Sequence, residues 1–475
     1  MASISMGNPL VYLEKGANDN WLIGSDSREF YLLTKQLYAE LTQNNNLKTP
    51  LKIIIAEREP IKLIASFIAA TAANCQVFLC NPNWVKAEWE QVFNLVKPDL
   101  IWGNLPEIDY KKTQKDTREF TPKFTSSLIM IPTGGTSGKI RFAMHTWKNL
   151  MASVRGFQQY FSLEQVNSFC ILPLYHVSGL MQFMRSFTTG GKLVISTLKL
   201  LENGERYEIQ PEEFFISLVP TQLQRLLEKP DLTTWLSRFQ TALLGGAPAW
   251  LELLETSRNY GIRLAPTYGM TETASQIATL KPEEFLAGNN TIGQVLPHAK
   301  VVIKGENGEI LGTNQTGTIS IKADSLALGY YPELFANQEE FQLDDLGFID
   351  ENRDLKIVGR NSNKIITGGE NVFPNEVEAA ILSTQMVEDI CVIGLPDSQW
   401  GEIVTAIYVP KSSNVNIGNL KIAIEDKLSK FKCPKKWIAV ESLPRSVQGK
   451  INRQLLQQNY RTEVLTTNQF CVTNE

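Results

Sequence analysis

Residues 126–147 read SSLIMIPTGGTSGKIRFAMHTW and gather the residue types that bind phosphate. Gly134, Gly135 and Gly138 free backbone N–H groups to point at an anion, Thr133, Thr136 and Ser137 add hydroxyl donors, and Lys139 adds charge. The spacing excludes a Walker A loop, which needs four residues between its glycines and a hydroxyl residue after the lysine. Here three residues separate Gly134 from Gly138, and Ile140 follows Lys139. The segment after the loop, IRFAMH, has the pattern of a strand, whereas a P-loop runs directly into a helix. The dinucleotide fingerprint GxGxxG is also absent. What remains is a strand–loop–strand turn able to wrap a polyphosphate; a flexible surface hairpin would have the same composition.

Such a loop needs a rigid scaffold, and the chain supplies one. Apolar runs (LKIIIA, QVFLC, SLIMI, FCILPL, KLVIS, FISLVP) alternate with helical patterns such as PTQLQRLLEK, the signature of an α/β region with extended sheets. The most apolar region, LIASFIAATAANCQVFLC, is interrupted by Asn74 and Gln76 and reads as a buried helix followed by a buried strand, not as a membrane span. Near residues 345–375 glycines and polar residues collect between short strands, as at a domain junction. Beyond it Asn375 with Glu378 is expected to cap a helix through EVEAAIL. The strands DICVIGL and VTAIYVP, a helix with Leu420, Ile424 and Leu428 on one face, and the strand KWIAVESLP then complete a small α+β unit. The expected organisation is a large multi-sheet α/β lobe over residues 1–360 and a small mobile α+β domain over 361–475, closing over a site between them.

The 475 residues, 43% hydrophobic and 20% charged with a net charge of −4, fit a globular protein without the electrostatic pull that nucleic acid or anionic lipid would require. No apolar leader is evident at the N-terminus. Six scattered cysteines suit a reducing cytoplasm, and three histidines without ligand spacing argue against a histidine-built metal site.

The glycine-rich loop resembles the phosphate-binding signature of the adenylate-forming superfamily, which includes acyl-CoA synthetases, luciferases and peptide-synthetase adenylation domains. The usual Pro-Lys-Gly ending is replaced by Ile140-Arg141-Phe142, with Arg141 keeping the positive charge. Further signatures follow in the family's order. TYGMTET matches a motif in which Tyr268 lies against adenine and Glu272 holds Mg²⁺, with Gly269 and Thr271 as further nucleotide-binding candidates. LLGGAP, with Gly245, Gly246 and Ala247, resembles the turn that lets adenine approach the backbone. In LDDLGFID, Asp345 matches the ribose-gripping aspartate while Leu343 and Asp344 replace Thr-Gly; Arg360 in VGR is a second ribose contact, and Ser362 occupies the hinge position. LPRSVQGKINR carries Lys450 at the family's catalytic lysine. The resemblance implies ATP, Mg²⁺ and coenzyme A as ligands. A carboxylate oxygen attacks the α-phosphorus, pyrophosphate leaves, and a thiol then attacks the acyl-adenylate. Crowded anionic oxygens call for Lys450, Mg²⁺ on Glu272 and the loop as charge sources.

In the second half-reaction KIITGGENVFP would face the site, with Gly368 and Gly369 allowing close backbone approach, while Trp400 and Phe431 are stacking candidates for the CoA nucleotide and Lys435 a phosphate contact. Cys433 stands where relatives often carry arginine. Each of these has a purely structural alternative. Roughly 20 residues follow Arg453, too few for a carrier domain, so free CoA is the expected acceptor. PLYHVSGL and GMTETASQIATLKPEEF resemble the 2-succinylbenzoate–CoA ligases of naphthoquinone biosynthesis. His176 then occupies the gate beside the acyl pocket, as a catalytic or substrate-binding candidate; a buried core histidine is the alternative. Burying a second substrate carboxylate requires a cation or several donors. Arg185, nine residues past His176, is the candidate, helped by Ser178, Ser275 or Gln276; a surface arginine is the alternative. The expected protein is thus a cytoplasmic ligase acting on small molecules, without nucleic acid or stable membrane insertion, of a kind that often self-associates. Another small aryl- or acyl-CoA synthetase, or a nucleotide-binding protein without ligase activity, are the alternatives.

Overall fold

The computed structural model describes residues 8–17, 19–43, 49–105, 127–134, 139–368, 370–397, 399–412, 415–425, 427–445 and 451–460. The seven-stranded sheet is built on Lys52–Ala56, Gln76–Leu79 and Leu128–Gly134, which run parallel. Leu128–Gly134 then turns back on Ile140–Thr146 in unbroken antiparallel register, with Thr133 opposite Arg141 and Gly134 opposite Ile140. The strand–loop–strand expected around the glycines is therefore present, although Gly135, Thr136, Ser137 and Gly138 themselves lie outside the described residues.

The helix Pro60–Ala72 is apolar on every face, and all its residues but Pro60 and Lys62 are buried. A helix of that kind can only sit inside a layered core. It packs with the helices Trp147–Phe161 and Val177–Thr189 between the seven-stranded sheet, through Ile53, Val77 and Ile129, and an eight-stranded sheet, through Leu22, Cys170 and Leu193. In the second sheet Phe214–Leu218, Thr241–Leu244 and Leu264–Met270 are parallel neighbours, and Leu264–Met270 forms a hairpin with Ser275–Thr279. A third, four-stranded antiparallel sheet ends with Phe341–Ile349 and Leu355–Arg360, whose register sets Asp345 opposite Arg360.

From Ile365 the chain enters another sheet, five-stranded among the described residues and centred on Val387–Asp397 and Gly401–Pro410. Leu420, Ile424 and Leu428 pack into its core as their spacing predicts. The cap expected from Asn375 and Glu378 is not formed. The helix Pro374–Leu382 starts at its proline, with Phe373 as the preceding residue, so Asn375 already lies within the first turn. Proline's fixed φ sets this start. Glu378 instead turns inward to form an ion pair with Arg453 at 2.6 Å and accepts the Val392 N–H at 2.7 Å. The fold is thus mixed α/β: a multi-sheet N-terminal lobe followed by a small α+β unit.

Candidate active site

Three parallel neighbouring strands end side by side, and the C-terminal edge of an open α/β sheet is the usual position for a ligand. Beyond Thr241–Leu244, Gly245 donates to the Leu218 carbonyl at 3.1 Å, and Gly246 takes φ +82°, a conformation that favours glycine. Ala247 follows, exposed. The adjacent strand brings in Tyr268. Its hydroxyl donates to Asp345 Oδ2, while Arg360 Nε meets Asp345 Oδ1 at 3.0 Å. Burial, then the Asp345 carboxylate, push the Tyr268 hydroxyl well above its ordinary pKa, so it remains a donor.

One turn further on, the short helix Thr271–Thr273 carries Glu272, which is 7% exposed. Tyr330 donates its hydroxyl to Glu272 Oε1, and the Arg141 guanidinium lies 4.1 Å above the Tyr330 ring. Burial and the Glu272 carboxylate raise the Tyr330 hydroxyl, and Arg141 and Arg360 both act on it in the opposite direction. Glu272, Tyr268, Asp345, Arg360, Tyr330 and Arg141 thus form one electrostatic cluster. His145 holds the turn from behind: its Nε2–H donates to the Thr271 carbonyl at 2.8 Å, and full burial lowers the imidazole to about 4, keeping it neutral. Arg141 thereby gains a partner that the altered loop ending did not suggest. Neither Tyr330 nor His145 stands out in the sequence, because neither belongs to a recognisable motif. Thr133 is half-buried at the loop's first edge, and Lys139 is exposed at its far edge.

The hairpin after Glu272 is strained. Ala274 and Ser275 have φ of +49° and +91°, which costs roughly 1–3 kcal/mol per residue. Ser153 Oγ to the Ala274 carbonyl and Thr273 Oγ1 to the Ser275 carbonyl, both 2.7 Å, hold it in place. A Cβ on Gly269 would come within 2.2 Å of the Ser275 carbonyl, so only glycine lets the two strands close here. The outcome is that Ser275 and Gln276 face Arg185. Arg185 is 3% exposed, donates to Ser275 Oγ at 3.3 Å and to Gln276 Oε1 at 3.0 Å, and sits 4.1 Å over the Phe157 ring. It is not a surface residue of its helix. Burial lowers its pKa to about 9, and no carboxylate among the described residues offsets that. His176 begins the same helix, buried at 9% exposure with its ring against Tyr175. Nine residues of α-helix span about 13 Å from His176 to Arg185. Ser178 contributes its carbonyl to Gln182 in that helix.

The candidates of the C-terminal sheet form a separate group. Trp400 packs directly on Gly368, where a Cβ would stand 2.8 Å from its ring, and Lys435 lies over the Trp400 face. Phe431 and Cys433 pack partly buried against the core of that unit. Asp344 accepts both the N–H (3.1 Å) and the hydroxyl of Ser362, so a residue that departs from the family pattern bonds to the hinge position. Gly369 and Lys450 lie outside the described residues. An open hollow of about 450 Å³ lined by Arg58, Trp84 and Asn104 belongs to the seven-stranded sheet and not to this cluster.

Glu272 is a candidate Mg²⁺ ligand because a carboxylate is a hard oxygen donor; its Oε1 accepts from Tyr330, and no cluster of three or more metal-binding side chains exists among the described residues. Mg²⁺ there would complete its oxygen shell from phosphates and water. The buried acid, the Asp345–Arg360 pair and the glycine turn are the candidate nucleotide site of this lobe. The AMP-binding enzyme model matches residues 103–331 and its C-terminal domain model residues 376–450. The chain belongs to the AMP-binding enzyme family, within its AMP-forming acyl-CoA ligases.

Its relatives narrow the class. A 2-succinylbenzoate–CoA ligase of Bacillus anthracis is 33% identical over 79% of this chain and 80% of its own length. The 2-succinylbenzoate–CoA ligase of Bacillus subtilis is 30% identical over 82% and 79%. The solved structure of o-succinylbenzoate CoA synthetase from Bacillus subtilis, in complex with its acyl-adenylate intermediate, superposes with a TM-score of 0.79 at 26% identity, covering 94% of this chain and 97% of that one.

Proposed function

We propose that this protein joins 2-succinylbenzoate to coenzyme A through an acyl-adenylate, a step toward phylloquinone or menaquinone. The observation that carries the reading is Arg185: a buried cation with no carboxylate partner among the described residues, facing Ser275 and Gln276. An unpaired buried charge is costly unless a ligand brings its counter-ion. 2-Succinylbenzoate has an aliphatic carboxylate to activate and an aromatic one to supply that counter-ion.

In the first half-reaction the aliphatic carboxylate oxygen forms a bond to the α-phosphorus and the bond to pyrophosphate breaks. Asp345 and Arg360 would orient the ribose, Tyr268 and the Gly245–Gly246 turn the adenine, and the glycine-rich loop the phosphates. Mg²⁺ on Glu272 would offset phosphate charge when bound. Lys450 would neutralise the oxygens that crowd as pyrophosphate departs. In the second half-reaction the CoA sulfur attacks the acyl carbon, its proton is lost, and AMP leaves, with Gly368 and Trp400 lining the thiol's approach.

The test is ATP- and CoA-dependent turnover across a panel of carboxylic acids with pyrophosphate release as readout. 2-Succinylbenzoate is expected to exceed benzoate and acetate in kcat/KM by at least about 100-fold, the scale of one buried charge contact. Equal turnover of the three acids would overturn the reading. Asp345→Ala is expected to raise KM for ATP by about 10- to 100-fold, the range for hydrogen bonds to a charged group, with KM for the acid little changed. An unaltered ATP KM would remove Asp345 from the ribose site.

A further inference from the structure

We propose that His298 is a specificity residue of the acyl pocket, holding the substrate's second carboxylate together with Arg185; this rests on the ligase reading above. His298 lies just before the strand Ala299–Lys304, far in sequence from every motif of the site. Its imidazole reaches the helix Trp147–Phe161 at Gly156, where an added Cβ would stand 1.8 Å from Nδ1. The next residue on that helix, Phe157, supports the Arg185 guanidinium, and Ser153 one turn earlier fastens the strained Ala274. Four segments therefore meet behind Ser275: the helix of Gly156 and Phe157, the helix of Arg185, the Ser275–Thr279 strand, and the segment carrying His298.

This meeting point has hydrogen-bonding capacity left over. Both ring nitrogens of His298 and Nε of Arg185 are buried without a partner among the described residues. Buried polar atoms are nearly always paired, and each orphan costs about 1–3 kcal/mol. Three such atoms on two neighbouring side chains, one a cation without an anion among the described residues, make a receptor for an acceptor-rich group. A carboxylate satisfies them: the guanidinium supplies charge, the imidazole one N–H, and the Ser275 hydroxyl another donor. Burial and the Arg185 charge lower the imidazole to about 4, with Asp324 acting the other way, so at neutral pH it donates as an uncharged ring and adds no second cation. One full positive charge thus faces one carboxylate, which disfavours both a neutral aromatic end and a doubly charged one.

The experiment compares kcat/KM for 2-succinylbenzoate with that for 4-oxo-4-phenylbutanoate, the same acid without the ring carboxylate. His298→Phe, which keeps the ring and loses the donor, is expected to lower the diacid-to-monoacid ratio tenfold or more at unchanged monoacid turnover. His298→Gln, which keeps an N–H, should stay within threefold of the native ratio. Gly156→Ala, which displaces the imidazole without altering it, should reproduce the His298→Phe result. Native-like monoacid turnover and melting temperature establish that each variant folds. If the native enzyme prefers the diacid and His298→Phe leaves the ratio unchanged, or lowers both acids in parallel, this inference alone is overturned. If the native enzyme shows no preference for the diacid, the substrate reading falls and this inference with it.

Discussion

Lys450→Ala is expected to slow acyl-adenylate formation by about 10²–10³-fold, the loss that follows removal of one preorganised donor from a developing anionic centre. Thioester formation from supplied acyl-adenylate should stay within a few-fold of native. The asymmetry follows from charge. Only the first half-reaction brings a carboxylate, an α-phosphate and a departing pyrophosphate together, and a lysine ammonium is a compact charge that can bridge them. Although Lys450 lies outside the described residues, the chain after it is firmly held. Arg453 forms two bonds to the Glu378 carboxylate, at 2.6 and 2.8 Å, and one to the Val392 carbonyl at 2.9 Å. Ile451 bridges to Arg445, itself paired with Asp389 at 2.6 Å. Measuring pyrophosphate release and thioester formation separately decides the matter; equal loss in both would contradict the role.

Arg185→Met should reduce kcat/KM for 2-succinylbenzoate by about 30- to 5,000-fold, the equivalent of the 2–5 kcal/mol lost when one partner of a buried charge pair is removed. The monoacid analogue should change only a few-fold. The free protein responds differently. Among the described residues Arg185 has no anionic partner, so replacing it with an apolar side chain of similar length removes an uncompensated buried charge, and Tm is expected to hold or rise. A parallel fall for both acids would take Arg185 out of the pocket, and a large drop in Tm would make it a structural residue.

Much of this architecture is written in local patterns. The interrupted apolar run at residues 63–80 became the buried helix and strand it resembled, because a helix without a polar face has nowhere to lie but between layers. The apolar alternation after Lys139 produced the second strand of the loop hairpin. FCILPL was read as one strand, yet the strand stops at Cys170, where the segment turns toward the helix carrying Arg185. The misplaced cap at Asn375 has a similar origin: spacing identified Glu378 as a short-range partner, but the partly buried Arg453 guanidinium 75 residues away takes both its carboxylate oxygens.

By itself the sequence determined that a multi-sheet α/β lobe precedes a small α+β unit, that two strands flank the glycine-rich loop, and that Glu272, Asp345, Arg360 and Lys450 are site candidates, since each sits in a short motif whose spacing is local. Only the tertiary structure decided that Arg185 is buried without an anion among the described residues, that Tyr330 donates to Glu272 across 58 residues, and that Arg185 meets Ser275 across 90. The same holds for His298 beside Gly156. The physical reason is that burial and hydrogen-bond partnership belong to pairs of distant segments. Their energies depend on which groups the fold leaves without water, and no single stretch of chain records that.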